Sequence, residues 1–451
     1  MQSHRMCLKL LLAFALLLLR CVQGGEVSRK HRDATVTGRC IEKERQALLA
    51  FKRGLVDKSD LLSSWGSEAQ KQDCCRWIGV SCSNQTGHVL QLDLSNKVVG
   101  AHSWNYYSLE GKMISPKLIE LQYLHHLDLH EINFYGRHIP DFIGSLSNLR
   151  YLDLSNTNFE GKFPSQVGNL TNLQHLDLSL NSFINAENLD WLPLLSSLRY
   201  LDLSLVNLNN VSNWAEVINK LPELTNLTLL MCGLPSPIVS ALSYINSSKS
   251  LARVHLSSNQ LSTSIFLWLS NYNTSLVDLS LSENLLAGSI PDVLGHMSSL
   301  AYLSLSNNQL EGWVPHSFAS ICNLQSLDLS GNILSGQLSK FVQILFSTCA
   351  QNSLEILDLS WNHLAGSLPD LTNLSSLEVL RLNNNKFSGV ISGTHFSKLS
   401  KLQDLDLSWN DLAGSLPDLT NLSSLEILFL NNNQLSGGIP KIFGSVFSKL
   451  F

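Results

Sequence analysis

Aromatic and charged side chains recur beside one leucine of a repeated pattern, in segments such as RYLDLS and HLDLS, and tryptophan twice precedes an asparagine in LSWN. These residue types suit the non-covalent recognition of a ligand. Aromatic and arginine side chains combine apolar area with polar atoms and are common interface anchors. The candidate ligand-binding residues are His126, Tyr151, Asp153, His175, Asp177, Tyr200, Arg253, Tyr302, Trp361, Arg381 and Trp409. The alternative is that single exposed aromatic side chains only shield neighbouring strands.

A column of aspartates runs through the same pattern and has the charge of a surface for cations or basic ligands. It comprises Asp93, Asp128, Asp153, Asp177 and Asp202. Stacked carboxylates repel one another, so counter-charges or hydrogen bonds to Ser155, Ser179 and Ser204 must hold them. Because L-D-L-S is the usual sequence of the repeat, we favour a structural role for this column.

Zinc-ligating residue types also occur in this region. His126, Asp128 and His130 alternate along one strand, and His175 lies two strands away. Alternating strand residues lie about 7 Å apart and the surface is open, so we predict no metal site. The sequence indicates no cofactor either.

Two broad function classes find no support in the sequence. It contains no G-x-S-x-G elbow, P-loop, G-x-G-x-x-G turn, H-E-x-x-H motif or kinase signature, so we predict neither catalytic residues nor enzymatic activity. The formal net charge is −5, and lysine and arginine are scattered without a basic run. Nucleic acid is therefore not a predicted partner.

The elements that position these residues come from a repeat of about two dozen residues. The first leucine of each L-x-L-S core, or its equivalent, marks fourteen coils: Leu92, Leu127, Leu152, Leu176, Leu201, Leu227, Val254, Leu279, Leu303, Leu327, Leu357, Leu380, Leu405 and Leu428. This period predicts a leucine-rich repeat solenoid of the α/β class, a curved right-handed superhelix with a parallel β-sheet on its concave face. With strands ~4.8 Å apart, that face extends about 65 Å.

Two irregularities of the repeat are informative. The steps from Leu92 to Leu127 and from Leu327 to Leu357 are 35 and 30 residues, and we expect the extra residues in loops. The segment that begins at Leu357 recurs with few changes from Leu405, a step of 48 residues. Two coils were therefore duplicated as a unit.

Within a coil, the strand has a period of two, so Leu152 and Leu154 point into the core while Tyr151, Asp153 and Ser155 face outward. A following asparagine is predicted to be buried and to satisfy backbone groups of adjoining coils. It occurs at Asn181, Asn259, Asn284, Asn308, Asn332, Asn362, Asn385, Asn410 and Asn433, whereas Ile132, Thr157, Val206 and Cys232 replace it in coils two, three, five and six. The ladder should therefore be irregular in the N-terminal half.

The N-terminus has the features of a secretory signal peptide, with basic residues before an apolar run at 10–19. This run is too short for a spanning helix, which needs about 20 residues, and no other stretch comes closer. We predict a signal peptide over 1–24, a short segment over 25–39, a cysteine-paired cap over 40–86, about fourteen repeats over 87–440 and an incomplete end over 441–451.

Secretion makes disulfides the expected state of the cysteines. Adjacent Cys74 and Cys75 do not easily bond each other, so among the pairings that the sequence leaves open we choose Cys40 with Cys74 and Cys75 with Cys82. Cys322 and Cys349 are candidates for a third bridge, and Cys232 is left as a small buried residue. The apolar pattern 47–51 with Leu55 predicts an amphipathic helix that, with Trp65 and Trp77, covers the first coil.

Eight sequons for N-glycosylation suit a secreted glycoprotein. They are Asn84, Asn169, Asn210, Asn226, Asn246, Asn273, Asn373 and Asn421. Asn226 lies beside a strand leucine, where a glycan would obstruct the concave face, so its occupancy stays open. Asn169, Asn373 and Asn421 lie on return segments.

Three segments together resemble the plant leucine-rich-repeat receptor-like proteins, and most closely the group of receptors for fungal ethylene-inducing xylanase. They are CIEKERQALLAFK with CCRWIGVSC in the cap, the G-x-I-P repeats, and VSNWAEVINKLPELTNLTLLMCGL at 211–234. The resemblance implies an extracellular ligand-recognition domain, held by one membrane helix, that acts in defence or elicitor perception and signals through a partner receptor kinase. The ligand would be a protein, a peptide or a glycan.

The C-terminal end departs from this family pattern, since neither a cysteine-stapled cap nor a membrane helix follows the last coil. Terminal repeats need a polar outer face, so we expect a fragment of a longer receptor. The predicted location is the extracellular side of the plasma membrane if the full-length form carries a membrane helix, and otherwise the apoplast. The alternative function is that of a secreted inhibitor of microbial wall-degrading enzymes, resembling the polygalacturonase-inhibiting proteins.

Overall fold

A computed structural model describes residues 39–95, 109–181, 183–238, 251–349 and 353–437. The predicted signal peptide (1–24), nearly all of the segment 25–39, the end over 441–451 and the Asn246 sequon lie outside the described residues. The predicted domain boundaries stay predictions.

Four α-helices occur in the described part of the chain: α1 (Glu42–Lys52), α2 (Trp214–Ile218), α3 (Ile265–Leu269) and α4 (Leu338–Thr348). Helix α1 is the predicted cap helix, and it buries Leu48 and Phe51. Leu55, expected on the same helix, instead begins a strand. The helix ends at Lys52, and the N–H of Gly54 donates to the carbonyl of Phe51, which closes a turn. Glycine in a helix interior is unfavourable, which makes this a natural end.

The strands in chain order are β1 (Leu55–Asp57), β2 (Val80–Cys82), β3 (Val89–Asp93), β4 (Leu109–Gly111), β5 (His126–Asp128), β6 (Tyr151–Asp153), β7 (Glu160–Lys162), β8 (His175–Asp177), β9 (Phe183–Asn185), β10 (Tyr200–Asp202), β11 (Asn226–Thr228), β12 (Arg253–His255), β13 (Asp278–Ser280), β14 (Ala287–Ser289), β15 (Tyr302–Ser304), β16 (Gln309–Gly312), β17 (Ser326–Asp328), β18 (Ile333–Gly336), β19 (Ile356–Asp358), β20 (His363–Gly366), β21 (Val379–Arg381), β22 (Lys386–Val390), β23 (Asp404–Asp406), β24 (Asp411–Ser415), β25 (Ile427–Phe429) and β26 (Gln434–Ser436).

The predicted parallel sheet is present, and its register follows the repeat. It has 15 strands within the described residues, in the order β2-β3-β5-β6-β8-β10-β11-β12-β13-β15-β17-β19-β21-β23-β25. The predicted coil leucines lie side by side, as in Leu152 with Leu176 and Leu303 with Leu327. The extra strand is β2 of the cap, which pairs antiparallel with β3. The cap therefore continues the sheet as well as covering its end.

A second parallel sheet, absent from the sequence predictions, runs behind the turns of the later coils. It has seven strands, in the order β14-β16-β18-β20-β22-β24-β26. Gly366 and Gly414 lie in it with φ of 92° and 88°, a left-handed conformation that glycine adopts without steric cost. The glycine of the repeat thus lets each return segment pair with the next.

All nine predicted asparagines bond the preceding coil. The Asn308 amide nitrogen donates to the carbonyl of Leu281 at 3.0 Å and to two carbonyls of its own coil, while its Oδ1 accepts from the N–H of Leu286 at 3.0 Å. The same pattern holds for Asn181, Asn259, Asn284, Asn332, Asn362, Asn385, Asn410 and Asn433. The predicted irregularity in the N-terminal half follows from the four replacements.

The three disulfides join the chosen pairs: Cys40–Cys74, Cys75–Cys82 and Cys322–Cys349. Cys232 is the free cysteine of the described residues and is buried. In the cap, the rings of Trp65 and Trp77 stack with centroids 5.1 Å apart. The bridges thus hold the cap and one later coil.

The insertion between Leu327 and Leu357 is not the expected loop. It contains helix α4, in which Leu338, Phe341, Val342 and Leu345 are buried. Their spacing of three and four residues places them on one helical face, which packs on the solenoid. A disulfide to the preceding coil fixes the C-terminal end of this helix.

Candidate ligand-binding site on the concave face

Three columns of side chains cover the concave face. The first column holds the residue before each coil leucine and the second column the residue after it, because strand side chains alternate between the two faces. The turn column holds the residue four positions after that leucine, which has a positive φ of about 50–67° from the second coil onward. Every candidate ligand residue belongs to one of these columns.

In the N-terminal half, four candidates of the first column form a continuous stack, here called the ring ladder. The centroids of His126 and Tyr151 are 4.1 Å apart, those of Tyr151 and His175 are 4.2 Å apart, and those of His175 and Tyr200 are 4.1 Å apart. Their planes differ by 14°, 9° and 8°. Since each inner ring is covered on both faces by its neighbours, a ligand can reach mainly the ring edges of the ladder.

The aspartates of the second column lie beside this ladder and are more buried than expected. Asp128 and Asp153 are only 6% and 7% exposed. Asp153 Oδ1 accepts hydrogen bonds from the N–H of Ser155 at 2.8 Å and from its hydroxyl at 2.6 Å. Ser204 bonds Asp202 in the same way, and the N–H of Ser179 donates to Asp177 Oδ1 at 2.9 Å. The expected serine hydrogen bonds are therefore present.

Burial sets the electrostatics of this region. Burial, and next the charge of Asp153, raises the pKa of Asp177 to about 7. Burial likewise lowers the pKa of His175 to about 4. Both groups therefore favour their neutral forms, as desolvation requires.

Histidine and aspartate atoms approach more closely here than strand spacing suggested. The groups Asp93–His126–Asp128, Asp128–His130–Asp153 and Asp153–His175–Asp177 each place one ligand atom per residue within 4.8 Å of the others. His130 Nδ1 lies 2.8 Å from Asp128 Oδ1. Serine donors already occupy Oδ1 of Asp153 and Asp177, and the absence of a metal stays a prediction.

The candidates of the C-terminal half are arranged differently. Tyr302, Trp361 and Trp409 are 44%, 63% and 57% exposed, and no ring contact joins the two tryptophans among the described residues. Sequence reasoning missed three apolar neighbours in the first and second columns: Ile356, Ile427 and Phe429, which are exposed. Together these six residues form what we call the apolar patch. The register that selected Tyr302 could also have selected Ile356 and Ile427, and the register of Arg381 could have selected Phe429.

Arg381 lies in the second column between Asp358 and Asp406. Its Nη2 donates to Asp404 Oδ2 at 2.6 Å, and its Nη1 lies 3.8 Å from Asp358 Oδ2. Asp404, also missed by the sequence reasoning, is 7% exposed, and its Oδ1 has no hydrogen-bond partner within the part of the chain that the structure describes. The hydrogen bond to Asp404 raises the pKa of Arg381, which strengthens its cationic character.

The structure also shows the positions of Arg253 and of the sequon asparagines. Arg253 is exposed in the first column between Asn226 and Asp278. Asn226 is partly exposed on the concave face, and its neighbour in the sheet is Tyr200 at the end of the ring ladder. The sequon asparagines Asn84, Asn169, Asn210, Asn373 and Asn421 are exposed, and Asn273 is partly exposed.

Comparison with known proteins supports the repeat assignment first. The leucine rich repeat N-terminal domain model matches residues 41–83, the leucine-rich repeat region model matches 100–193, and leucine rich repeat models match 274–334, 352–412 and 424–446. Receptor-like protein EIX1 of Solanum lycopersicum is 43% identical over 357 residues, or 78% of this chain. The chain belongs to the leucine-rich-repeat receptor-like proteins.

Two further relatives agree with this assignment. Receptor-like protein EIX2 of Solanum lycopersicum is 41% identical over 84% of the chain. The crystal structure of a TDR receptor superposes with a TM-score of 0.59 and 26% identity, covering 80% of this receptor-like protein and 63% of that chain. The chain is thus a plant-type leucine-rich-repeat receptor ectodomain in sequence and fold.

The chain spans about a third of the length of these curated relatives, 34% of EIX1 and 36% of EIX2. Among the described residues of this receptor-like protein, no helix has the length and apolar character required to cross a bilayer.

Proposed function

We propose that this receptor-like protein recognises an extracellular ligand with the concave face of its later coils, in plant defence or elicitor perception. The observation that carries the proposal is the apolar patch. Exposed apolar side chains grouped on one face of a soluble domain mark a binding surface. At the corresponding register of the N-terminal half, the rings are stacked against one another.

The composition of the patch suits a ligand with both apolar and polar groups. Tryptophan and tyrosine supply rigid contact area at little cost in side-chain entropy. Arg381, Asp358 and Asp406 lie among them and supply charge for orientation. By its resemblance to the receptor-like proteins, this chain would signal through a partner receptor kinase on the cell surface.

Binding of a purified fungal ethylene-inducing xylanase to the immobilised chain tests this proposal. We expect saturable binding that falls at least tenfold when Trp361→Asn and Trp409→Asn are combined. Asparagine already occupies this turn position at Asn384 and Asn432, so the variant keeps the backbone conformation. Met231→Asn is the matched control, because Met231 is 55% exposed at the same position of an earlier coil.

Equal binding by the double variant would place the site elsewhere. No binding of the xylanase, together with inhibition of a fungal polygalacturonase by the chain, would instead support the inhibitor function.

A further inference from the structure

The duplicated coils repeat a set of three residues on the concave side, an aspartate, a buried serine and an exposed tryptophan, here called the Asp-Ser-Trp set. Asp358, Ser360 and Trp361 form the first copy, and Asp406, Ser408 and Trp409 form the second. One coil separates them, so β19 and β23 are two steps apart in the sheet. At ~4.8 Å per step, the copies are about 10 Å apart along the concave face.

Each copy holds its carboxylate in the same way. Asp358 Oδ1 accepts from the N–H of Ser360 at 3.0 Å and from its hydroxyl at 2.6 Å. Asp406 Oδ1 accepts from Ser408 at 2.9 and 2.6 Å. The second oxygen of each carboxylate is thereby oriented; Asp358 Oδ2 lies 3.8 Å from Arg381, farther than a hydrogen bond.

Both tryptophans occupy a backbone conformation that favours smaller residues. Their φ values are 53° and 52°, in the left-handed region, where neighbouring coils place Gly331, Asn384 and Asn432. The repeat imposes this conformation on Leu180 and Met231 as well, so the conformation alone does not mark a binding residue. What the two tryptophans offer a ligand is ring area, since they are 63% and 57% exposed.

We propose that the two Asp-Ser-Trp sets bind an extended, neutral β-1,4-linked glycan, with alternate sugars of the glycan on Trp361 and Trp409. This inference rests on the proposed function and names the ligand class of the same face. A surface that repeats every two coils suits a polymer that repeats at the same spacing, and an extended β-1,4-linked chain turns the same face of every second sugar to one side. The two-sugar repeat of such a chain is close to the spacing of the two sets.

The chemistry of each set fits a sugar ring. The C–H groups on the flat face of a pyranose carry partial positive charge and are attracted to the negative face of an indole. The outward carboxylate oxygen accepts hydrogen bonds from sugar hydroxyls. The negative charges of Asp358, Asp404 and Asp406 outnumber the single positive charge of Arg381, so this surface would repel an acidic glycan.

A polyproline II peptide is the nearest competitor, because three of its residues advance about 9 Å. Proline lacks a backbone N–H and offers no donor to the two carboxylates. Hydroxyl groups of a glycan do offer donors, so the carboxylates favour the glycan.

Isothermal titration of the chain with cellohexaose and mannohexaose tests the inference. We expect both to bind, Trp361→Asn and Trp409→Asn each to weaken binding at least tenfold, and the control Met231→Asn to leave it unchanged. Cellobiose, which reaches only one set, should bind at least tenfold more weakly than cellohexaose. Maltohexaose, whose α-1,4 linkages curve the chain, and hexagalacturonate should also bind at least tenfold more weakly.

Three results would overturn the inference. They are binding of decaproline but not of either β-linked hexaose, equal binding of maltohexaose, and hexaose binding that is unchanged in both tryptophan variants. Failure of both β-linked hexaoses to bind at millimolar concentration has the same meaning. If xylanase binding then still depends on the two tryptophans, only the glycan inference falls; if it does not, the proposed function falls as well.

Discussion

The two halves of the concave sheet use their aromatic side chains for different purposes. In coils two to five, the rings of His126 to Tyr200 stack on one another, whereas in coils nine to fourteen Trp361 and Trp409 touch no other ring among the described residues. The asparagines that bond the preceding coil show the opposite distribution, since coils two, three, five and six lack them and every coil from the seventh onward has one. From the ninth coil onward, asparagines join the coils inside and Trp361 and Trp409 are unstacked outside; coil four, with Asn181 and the stacked His175, has both features.

This difference teaches that an outward-facing aromatic residue is not by itself a ligand contact. A ring already covered on both faces stabilises the fold, and removing it costs folding free energy. A ring that is exposed and strained contributes little to the fold, and removing it costs binding. Stability and binding measurements on the same variants separate the two.

The largest effect is expected at the asparagine ladder. Asn308→Ala removes the partner of the Leu281 carbonyl and of the Leu286 N–H, both inside the solenoid. Buried groups without partners are costly, so the free energy of unfolding should fall by about 3 kcal/mol in urea denaturation. Asn323→Ala is the control, since Asn323 is exposed and makes one bond, to the Ser298 carbonyl. Equal losses from both variants would contradict a special role for the ladder.

A smaller loss is expected in the ring ladder. Tyr151→Ala removes two ring contacts at once, with His126 and His175. Each such contact contributes about 1 kcal/mol, so urea denaturation should show a loss of about 2 kcal/mol. Ligand binding at the apolar patch should not change. A variant with full stability and reduced binding would reverse the roles that we assign to the two halves.

The pH dependence of the N-terminal half provides a third test. Because burial raises the pKa of Asp177 to about 7, the folded chain keeps a proton there that the unfolded chain releases near pH 4. The stability that the folded chain gains from keeping this proton is complete below about pH 4 and is lost as the pH rises to about 7. Asp177→Asn should therefore gain stability relative to the unmodified chain between pH 4 and pH 8, as measured by thermal unfolding.

His175 acts in the opposite direction, since its pKa of about 4 makes the fold lose stability as the pH falls from about 6.5 to 4. The difference between the Asp177→Asn variant and the unmodified chain isolates the aspartate, and Asp411→Asn on the second sheet controls for the lost charge. A difference that does not vary with pH would show that Asp177 titrates as an ordinary carboxylate.

The smallest effect is expected for Trp409→Asn in the C-terminal half. Asparagine tolerates the left-handed conformation better than tryptophan, so the free energy of unfolding should stay the same or rise by up to about 1 kcal/mol. Urea denaturation checks this alongside the binding assays. A loss above about 1 kcal/mol would show that the exposed ring stabilises the fold.

The sequence predicted the coils and their register because each coil leucine has one role, which the period reveals. It also predicted the three disulfides and the inward asparagines, of which seven are buried and two, Asn385 and Asn433, are partly buried. It did not predict that Asp128 and Asp153 are nearly buried, because neighbouring side chains rather than strand alternation cover them. Helix α4 was missed, although Leu338, Phe341, Val342 and Leu345 have helical spacing, because the insertion was treated only as an interruption of the repeat.

The candidate site was predicted less completely than the fold. The columns were correct, but the stacking of His126, Tyr151 and His175 depends on side-chain rotamers, which the sequence does not specify. Phe429 and Asp404 have the same register as predicted candidates, but the exposure of the Phe429 ring and the bond from Arg381 to Asp404 are not visible in the sequence. The division of the sheet into two halves appears only when exposures and ring contacts are known.

The asparagine ladder has two gaps, at Ile132 and Thr157 and again at Val206 and Cys232, and they have a mechanical consequence. At each gap two successive junctions lack the amide bonds that join later coils; Cys232 contributes a weak sulfur contact to the Leu203 carbonyl. A solenoid under tension behaves as a spring of coils in series, and such a spring yields first where neighbours are least well joined. Under load, the molecule would bend or part within its first six coils, and the later coils would move as one stiff unit.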